Sequence, residues 1–532
     1  MKTERIIIIL FIIINLSRAY GHLNSMNWQK TVGGSAMDEA NIVLQATDNL
    51  GYYIISTSSS NAGFEKSENS FGGSDVWVVF LDNDGNVLWD KTYGGSENES
   101  PKAAIIYNNR LIIFATSSSG QTGNKTAINH GLSDLWLLSL HLNGDIDWQS
   151  SYGGSDVEGA VDIKVHNGEF ILLGNSSSQI SGNKTENSYG QSDYWIIKIN
   201  ATNGTIQSQK TIGSAGIDNS IGLAIDNLGN AYILGGSETG ISGLKTINGY
   251  GDADHWVVKL NGSFELINQN CFGGSGYENP YNGNIVIFES KIYISGTTDS
   301  DNNGTISEAG YGLNDAWLYS LDLNLELEWS KLFGGTGFDS GGKIVPFNNG
   351  SFLLAFNSSS GISGNKTAAN IGISDCWIIL IDGSGNIASQ TAIGGSQLEF
   401  VADALLNNNS NLIVTSSSDS GISGMKTEAL RGINDVWVFE LNSSELLGIE
   451  ILNQISAIHF FPNPCNDLVS VVLPDEFTSG SIAIYSMDGK LLLTKDFFDS
   501  LIEMKVDELS SGKYLIKVFC NDSIFHSTII KN

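Results

Sequence analysis

The chain has 532 residues, of which 61 are glycine, 6 are proline and 41% are hydrophobic. Its apolar content suffices for a large core, which excludes wholesale disorder, and the absence of a Gly-X-Y period excludes collagen. With 27 Lys+Arg against 57 Asp+Glu, the formal net charge is −30. This charge argues against nucleic acid and anionic lipid as partners, because binding either needs neutralising cations.

The first 21 residues are predicted to be a secretory signal peptide. Lys2 and Arg5 precede the apolar run Ile6–Leu16, and the small residues Ala19 and Gly21 follow it. A basic start, a short apolar core and small residues before the cleavage site are typical of such signals. The alternative is an N-terminal membrane anchor, which needs about 20 apolar residues. We expect cleavage after Gly21 and a mature chain, exported through the periplasm, without a transmembrane segment.

Seven copies of one unit follow the signal. A Gly-Gly-Ser-like landmark recurs from Gly33 to Gly394 in steps of 59–61 residues, and Asp-x-Trp recurs seven times between Asp75 and Trp437. Each unit contains four short β-rich segments, some joined by Asp/Asn-Gly turns, which is the hairpin signature. The pattern predicts an all-β, seven-bladed β-propeller of four-stranded blades over residues 22–444. A solenoid is the alternative, but it needs capping repeats that the sequence does not contain.

The two ends of the repeat array predict how the ring closes. Every other unit carries its fourth strand directly before a Gly-Gly pair, and the matching segment for the last unit is the N-terminal Asn27–Val32. We therefore expect the N-terminal strand to complete the last blade. The alternative is that Glu445–Ile451 supplies that strand.

The landmark residues have predicted structural roles. Tryptophans at one fixed blade position are expected to fill the wedge between sheets, burying about 150–250 Å² each, with carbohydrate stacking as the alternative. The preceding aspartates are expected to accept hydrogen bonds from loop amides, with a cation-binding ring of carboxylates as the alternative. The seven tryptophans are Trp77, Trp136, Trp195, Trp256, Trp317, Trp377 and Trp437.

The loop between the second and third strands is the predicted binding element. It is long for a hairpin connection, and five units share a core that resembles Ser-Gly-Ile-Ser-Gly-Asn-Lys-Thr. Long repeated loops on one face are where binding residues concentrate. The alternative is that the lysine and threonine brace the neighbouring blade. The candidate binding residues are Lys125, Thr126, Lys184, Thr185, Lys245, Thr246, Lys366, Thr367, Lys426 and Thr427.

In the fifth unit this loop has the spacing of a calcium site. Oxygen-bearing residues alternate from Asp299 onward, as in the first half of a calcium-binding loop. The twelfth position is Gly310 rather than glutamate, so Glu308 is the substitute ligand. A solvated polar turn is the alternative, and no other cofactor is predicted. The candidate calcium ligands are Asp299, Asp301, Asn303, Thr305 and Glu308.

The period stops after Ile451, and a second domain is predicted after a linker at residues 445–457. Residues 458–532 indicate a small β-sandwich with three separated motifs, Phe-Pro-Asn-Pro, Tyr-Ser-Met-Asp-Gly-Lys and Leu-Ser-Ser-Gly-Lys-Tyr. In this order the motifs resemble the C-terminal sorting domain of type IX secretion substrates from Bacteroidetes-group bacteria. The residues that carry the resemblance are Pro462, Asn463, Pro464, Asp488, Gly489, Gly512 and Tyr514.

The resemblance implies a route and partners. Such a domain is recognised by the type IX secretion machinery at the outer membrane, and the cargo is released or attached to surface lipopolysaccharide. The implied location is therefore outside the cell or on its surface. A generic immunoglobulin-like adhesion module is the alternative for this segment.

No catalytic constellation stands out in the sequence. The seven histidines are scattered, and neither H-E-x-x-H nor G-x-S-x-G occurs. The sequence therefore favours an exported propeller that binds a glycan or a protein without catalysis. The alternatives are a polysaccharide-degrading enzyme with carboxylates at the propeller mouth and a purely structural surface component.

Overall fold

A computed structural model of the chain describes residues 26–347, 350–442, 459–461, 465–473, 479–486, 490–498, 501–520 and 523–532. The predicted signal peptide (1–21) and linker (445–457) lie outside the described residues. The chain separates into two compact units, divided between Leu446 and Leu447. The described residues contain no α-helix, and both units are built from antiparallel strands.

The first unit consists of seven four-stranded antiparallel sheets, and six of them use four consecutive strands. The first is β2 (Asp38–Gln45), β3 (Tyr52–Ser58), β4 (Asp75–Leu81) and β5 (Val87–Tyr93). The second is β6 (Glu99–Tyr107), β7 (Arg110–Ser117), β8 (Asp134–His141) and β9 (Ile146–Tyr152). The third is β10 (Glu158–His166), β11 (Glu169–Ser176), β12 (Asp193–Asn200) and β13 (Ile206–Ile212).

The remaining sheets continue in the same order. The fourth is β14 (Asp218–Ile225), β15 (Ala231–Ser237), β16 (Asp254–Leu260) and β17 (Leu266–Phe272). The fifth is β18 (Glu278–Phe288), β19 (Lys291–Thr298), β20 (Asp315–Asp322) and β21 (Leu327–Phe333). The sixth is β22 (Asp339–Pro346), β23 (Phe352–Ser358), β24 (Asp375–Ile381) and β25 (Ile387–Ile393). The seventh is β26 (Glu399–Leu406), β27 (Leu412–Ser418), β28 (Asp435–Leu441) and the N-terminal β1 (Met26–Val32).

The N-terminal strand closes the ring. β1 pairs antiparallel with β28, with Lys30 opposite Val438 and Val32 opposite Val436. The first strand of every sheet contacts the first strand of the next, in the cycle β2, β6, β10, β14, β18, β22, β26 and back to β2. The predicted seven-bladed propeller is therefore confirmed, with these first strands innermost, and so is the predicted closure by the N-terminal strand.

The seven repeated tryptophans lie in the core, as the wedge interpretation requires. All seven indoles are completely buried. Trp136 packs with Tyr53 and Ile55 of the preceding blade, so the ring joins two sheets. Its Nε1 donates to Gln149 Oε1 at 3.2 Å in the fourth strand of its own blade. Because the one polar atom of the indole is satisfied, its burial carries no hydrogen-bond penalty.

The second unit is a small pair of sheets. Three strands form one sheet in the order β29-β30-β33 and four form the other in the order β32-β31-β34-β35. Side chains of both sheets share one buried core, as in the predicted β-sandwich. The strands are β29 (His459–Phe461), β30 (Leu468–Val472), β31 (Gly480–Ser486), β32 (Leu491–Phe497), β33 (Leu501–Lys505), β34 (Gly512–Cys520) and β35 (Ser523–Lys531).

Two of the residues that carry the sorting resemblance can be placed in this unit. Gly512 begins β34, and Tyr514 is buried with its hydroxyl donating to Ser510 O at 2.6 Å. The nearby Cys465 is buried and holds a free thiol. The other motif residues lie outside the described residues: Pro462, Asn463, Pro464, Asp488 and Gly489.

Because the ring is closed by a strand from the N-terminus, we expect the equivalent glutamines Gln29 and Gln149 to differ in how much their replacement loosens the neighbouring strand. Gln29 of β1 accepts hydrogen bonds from Trp437 Nε1 and Thr427 N, at 3.2 and 2.9 Å. Gln149 of β9 makes the same bonds, but a turn joins β9 covalently to its partner β8, whereas β1 is joined to β28 only by non-covalent contacts. We expect Gln29→Ala to speed hydrogen–deuterium exchange in β28 by about tenfold or more.

The matched Gln149→Ala variant removes the same bonds from a continuous hairpin. Its effect on exchange in β8 is expected to be smaller, because the turn keeps β9 in register. Equal acceleration of β8 and β28 would contradict the account of closure.

Candidate functional site

The long loops all lie on one face of the propeller. They comprise residues 59–74, 118–133, 177–192, 238–253, 299–314, 359–374 and 419–434, and together form what we call the long-loop face. Each loop bonds to the connection between the preceding blade and its own. In the second blade, Ser119 Oγ accepts a hydrogen bond from Glu97 N at 2.9 Å and Thr122 Oγ1 accepts one from Ser96 N at 2.8 Å. The loop core therefore fastens adjacent blades.

The candidate lysines point inward. Lys125 Nζ donates to Ser119 O at 2.8 Å and Ala127 O at 3.0 Å, and lies 6.0 Å from the ring centre of Trp136. Burial lowers the pKa of Lys125, although the nearby Glu99 and Asp134 carboxylates act in the opposite direction. An ammonium group held by its own loop cannot reach a ligand outside it, and the geometry therefore favours a role in fixing that loop rather than in binding or in contacting the neighbouring blade. The five candidates, each 1% exposed, are Lys125, Lys184, Lys245, Lys366 and Lys426.

The candidate threonines point outward. The backbone N–H of Thr126 donates to Gln149 Oε1 at 2.9 Å, while the side chain is exposed. The same arrangement recurs in the other four loops, so these threonines lie on the long-loop face. The exposed threonines are Thr126, Thr185, Thr246, Thr367 and Thr427.

The aspartate of each Asp-x-Trp lies beneath this loop. Asp134 Oδ2 accepts from His130 N at 2.8 Å, and the bond to the amide four residues earlier recurs in all seven blades. The other oxygen faces the first glycine of the next Gly-Gly pair. A Cβ on Gly153 would lie 2.2 Å from Asp134 Oδ1, so that position admits no side chain. These aspartates are thus turn-forming acceptors, and the Gly-Gly landmark exists to let them approach.

Sequence reasoning missed a second set of buried carboxylates. One lies four residues after the second position of each Gly-Gly landmark, which is Ser214 in the fourth blade, and that constant spacing was the available signal. Glu99 Oε2 accepts from Gly95 N at 2.8 Å and its Oε1 accepts from Ser117 Oγ at 2.6 Å. Backbone and hydroxyl donors hold this set inside the junctions. Its members are Asp38, Glu99, Glu158, Asp218, Glu278, Asp339 and Glu399, each 0% exposed.

The predicted calcium ligands do not converge on one point. Asp299 Oδ1 accepts from Tyr277 N at 2.6 Å, whereas Asp301 Oδ1 accepts from Gly310 N at 3.2 Å. Glu308 instead pairs with Lys331, with Oε1 2.8 Å from Nζ. Asn303 and Thr305 bond to the preceding Gly-Gly-Ser connection. Within the part of the chain that the structure describes, no three His, Cys, Asp or Glu side chains form a group able to hold a metal ion.

This loop has the same backbone arrangement as the others although six of its eight core residues (300–307) differ from those of the sixth blade (360–367), which explains the misleading spacing. Gly304 has φ 61°, like Gly364 with φ 59° in the sixth blade. Asn303 stands where that blade has Ser363, and both side chains accept a hydrogen bond from the preceding connection. Ile306 occupies the lysine position and is 1% exposed. The alternating oxygens therefore serve inter-blade hydrogen bonds rather than a common centre.

Because Ile306 replaces the buried lysine, the buried carboxyl group of Glu278 in the fifth blade has no ammonium group of that loop beside it. Burial, reinforced by the nearby Asp254 carboxylate, raises the pKa of Glu278 to about 7. Burial also raises the pKa of Asp315 in this blade to about 6, as it does those of Asp193 and Asp435 in blades that keep the lysine, so the difference lies at Glu278. Charging these acids near neutral pH therefore opposes folding.

The C-terminal unit matches a known family. Residues 459–532 match the model described as "Secretion system C-terminal sorting domain". The type IX sorting domain indicated by the resemblance is thereby confirmed, and it makes the chain a substrate of that secretion machinery, exported to the cell exterior or surface. No curated protein has a sequence that matches the chain. Among the described residues, no helix is long and apolar enough to cross a bilayer.

Several solved structures are distantly similar to the chain. The subtype N11 neuraminidase-like protein of a flat-faced bat H18N11 strain is 11% identical, over 79% of this chain and 94% of that one, with a TM-score of 0.35. Hydrazine synthase of Kuenenia stuttgartiensis is 9% identical over 70% and 91%, with a TM-score of 0.40. The AfRom2 CNH domain is 8% identical over 78% and 99%, with a TM-score of 0.39. At these scores no activity carries over.

The contact between aspartate and glycine predicts a large effect from one methyl group. A Cβ on Gly94 would lie 1.9 Å from Asp75 Oδ1 and 2.6 Å from Glu99 Oε2, while one on Gly120 would meet nothing within 4 Å. We expect Gly94→Ala to lower the free energy of unfolding by about 2–3 kcal/mol in urea denaturation. Gly120→Ala is the control and should stay within about 0.5 kcal/mol. Equal stability of the two variants would refute this reading of the Gly-Gly landmark.

The raised pKa of Glu278 predicts that stability falls as pH rises. The folded state holds the proton more tightly than the unfolded chain, so the stabilisation is present below the ordinary value of 4.5 and is lost as pH rises through about 7. We expect Glu278→Gln to gain about 1–3 kcal/mol relative to wild type at pH 8, and little at pH 4. Thermal unfolding across this range measures the difference. The exposed Glu289→Gln in the same blade is the control, and an unchanged pH slope for Glu278→Gln would contradict the assignment.

Proposed function

We propose that the protein is an exported surface protein whose long-loop face binds another protein without catalysis. After passage through the periplasm, attachment to surface lipopolysaccharide would present this face to the surroundings. The observation that carries the proposal is a ring of exposed apolar side chains. Every one of the seven long loops contributes at least one side chain that is 60–70% exposed: Phe64, Leu132, Ile180, Ile241, Leu313, Ile362 and Ile422.

These side chains have no evident role in folding. A buried lysine lies in six of the seven loops, and side-chain hydrogen bonds to the preceding connection already hold the loops in place, while the apolar side chains are exposed to solvent. Burying one such side chain against a partner is worth about 1.5–3 kcal/mol. Apolar groups gathered on one face are characteristic of interaction surfaces. The bracing supports binding further, since rigid loops lose little conformational entropy when a partner docks.

The chemistry of the face favours a protein over a glycan. Four loops carry isoleucine at the same tip position, namely Ile180, Ile241, Ile362 and Ile422. Sugar rings are usually bound by aromatic faces and hydrogen-bond donors, whereas isoleucine has neither. The loop lysines, which could have contacted sugar hydroxyls, are buried. The long-loop face is predominantly aliphatic, although the exposed aromatic rings of Phe64, Phe71, Tyr189 and Tyr250 also lie on it, and such a face fits the apolar patch of another protein.

The same geometry weighs against catalysis at this face. Acid–base chemistry needs a carboxyl group that can reach substrate. Both repeated carboxylate sets are at most 3% exposed, and their members accept hydrogen bonds from backbone amides. They support the blade junctions, so they are poor candidates for the paired acids of glycoside hydrolysis.

Binding to cells tests this proposal. Fluorescently labelled full-length protein is added to cells of the producing bacterium from which its own gene has been deleted. We expect saturable binding that is abolished by protease treatment of the cells. A variant with Ile180→Ser, Ile241→Ser, Ile362→Ser and Ile422→Ser should bind at least about tenfold more weakly.

The control carries Leu50→Ser and Leu228→Ser, on turns at the opposite face where the side chains are 61% and 85% exposed. It should bind like wild type, since it changes apolar exposure without changing the loops. Binding that survives protease treatment, or that the loop substitutions leave intact, would overturn the proposal.

A further inference from the structure

The axis of the ring holds a charged channel. The seven innermost strands enclose a cavity of about 250 Å³, and each of them contributes lining residues. Five of the lining side chains carry charge. They are Lys102 of β6, Asp162 and Lys164 of β10, Lys343 of β22 and Asp403 of β26.

The two aspartates are fixed by the blades themselves. Asp162 Oδ2 accepts a hydrogen bond from Leu223 N of β14 at 3.0 Å, and Asp403 Oδ2 accepts one from Val43 N of β2 at 3.0 Å. Each bond crosses from one innermost strand to the next. Neither carboxylate can therefore turn away from the channel without breaking a junction between blades.

Two of the three lysines are paired with these aspartates. Lys164 Nζ lies 2.9 Å from Asp162 Oδ1, and Lys343 Nζ lies 3.3 Å from Asp403 Oδ1. Each of these lysine side chains is still between a third and two fifths exposed, so it can also donate into the channel. The pairs set the local charge close to zero without filling the cavity.

The third lysine is unpaired. Lys102 occupies the extra position of a β-bulge between Pro101 and Ala103, and its side chain is exposed in the channel lining. Among the described residues its ammonium has no ion-pair or hydrogen-bond partner. Three lysines against two aspartates leave the channel lining with a net charge of +1. In a chain of net charge −30, the channel is thus a local positive site.

We propose that the central channel binds a small monoanion, held by Lys102 with help from Lys164 and Lys343. Its ligand carries one carboxylate or a similar oxyanion, because ammonium groups bind such oxygens through charge-assisted hydrogen bonds. The fixed aspartates disfavour a second negative charge. A cavity of about 250 Å³ equals roughly eight waters at about 30 Å³ each, which limits the ligand to about the size of one sugar acid.

This site is independent of the long-loop face, since the two share no residue. Calorimetric titration of the full-length protein with glucuronate tests it, with neutral glucose and inorganic sulfate as comparison ligands. We expect glucuronate to bind with one site per chain, glucose not to bind, and sulfate to bind more weakly. Lys102→Met should weaken glucuronate at least about tenfold.

Two further variants separate the channel from general electrostatics. Asp403→Asn keeps an acceptor for Val43 N while raising the channel charge, so it should tighten glucuronate binding. Lys291→Met removes an exposed lysine at the start of β19, outside the channel lining, and should leave binding unchanged. Absence of saturable glucuronate binding, or equal weakening by Lys102→Met and Lys291→Met, would overturn the proposal.

Discussion

The structure depends on hydrogen bonds between buried carboxylates and backbone amides at each junction between blades. A propeller is a circle of wedges, and the chain must cross from the outer edge of one wedge to the inner edge of the next. That crossing brings polar backbone into a buried place, where every unpaired amide costs about 1–3 kcal/mol. The carboxylate after the Gly-Gly pair accepts such an amide, as Glu158 does from Gly154 N, while the carboxylate beneath the loop accepts a loop amide, as Asp134 does from His130 N.

The remaining repeated residues follow from this junction. Glycine stands beside Asp134 because a side chain would collide with the carboxylate, and the buried Lys125 lies in the field of Glu99 and Asp134. The long loop is then fastened to the preceding blade by serine and asparagine side chains and to the fourth strand of its own blade by the glutamine. What this packing leaves exposed is a set of apolar side chains, four of them isoleucines at the same loop position. The hydrogen bonds that fix the long loops therefore stabilise the ring and also support the surface that we propose to bind a partner.

The sequence predicted the parts of this design that depend on period and strand pattern. The number of blades, the closing strand Met26–Val32 and the burial of residues such as Trp77 all follow from repetition and alternation. The inward orientation of the loop lysines could not be predicted, because Lys125 lies in a polar loop where an exposed lysine is expected. Only the structure shows that its ammonium group donates to two carbonyl oxygens of its own loop.

Two other features could not be predicted from the sequence, for related reasons. The spacing at Asp299 matched a calcium loop because both motifs alternate oxygen-bearing residues, yet here each oxygen accepts a different backbone amide. The channel charges were invisible because Lys102 and Asp403 are 301 positions apart (403 − 102) in the chain and meet only when the ring closes. Contacts across a closed ring depend on geometry that local patterns do not contain.

The central claim is that buried carboxylates hold the amides of the blade junctions, and hydrogen–deuterium exchange at those amides tests it most directly. Gly95, Gly154, Gly274, Gly335 and Gly395 lie in glycine-rich connections but donate to buried carboxylates at 2.7–3.0 Å. The account predicts that their amides exchange as slowly as those of the central strands. Exchange at the rate of an open glycine loop would contradict it.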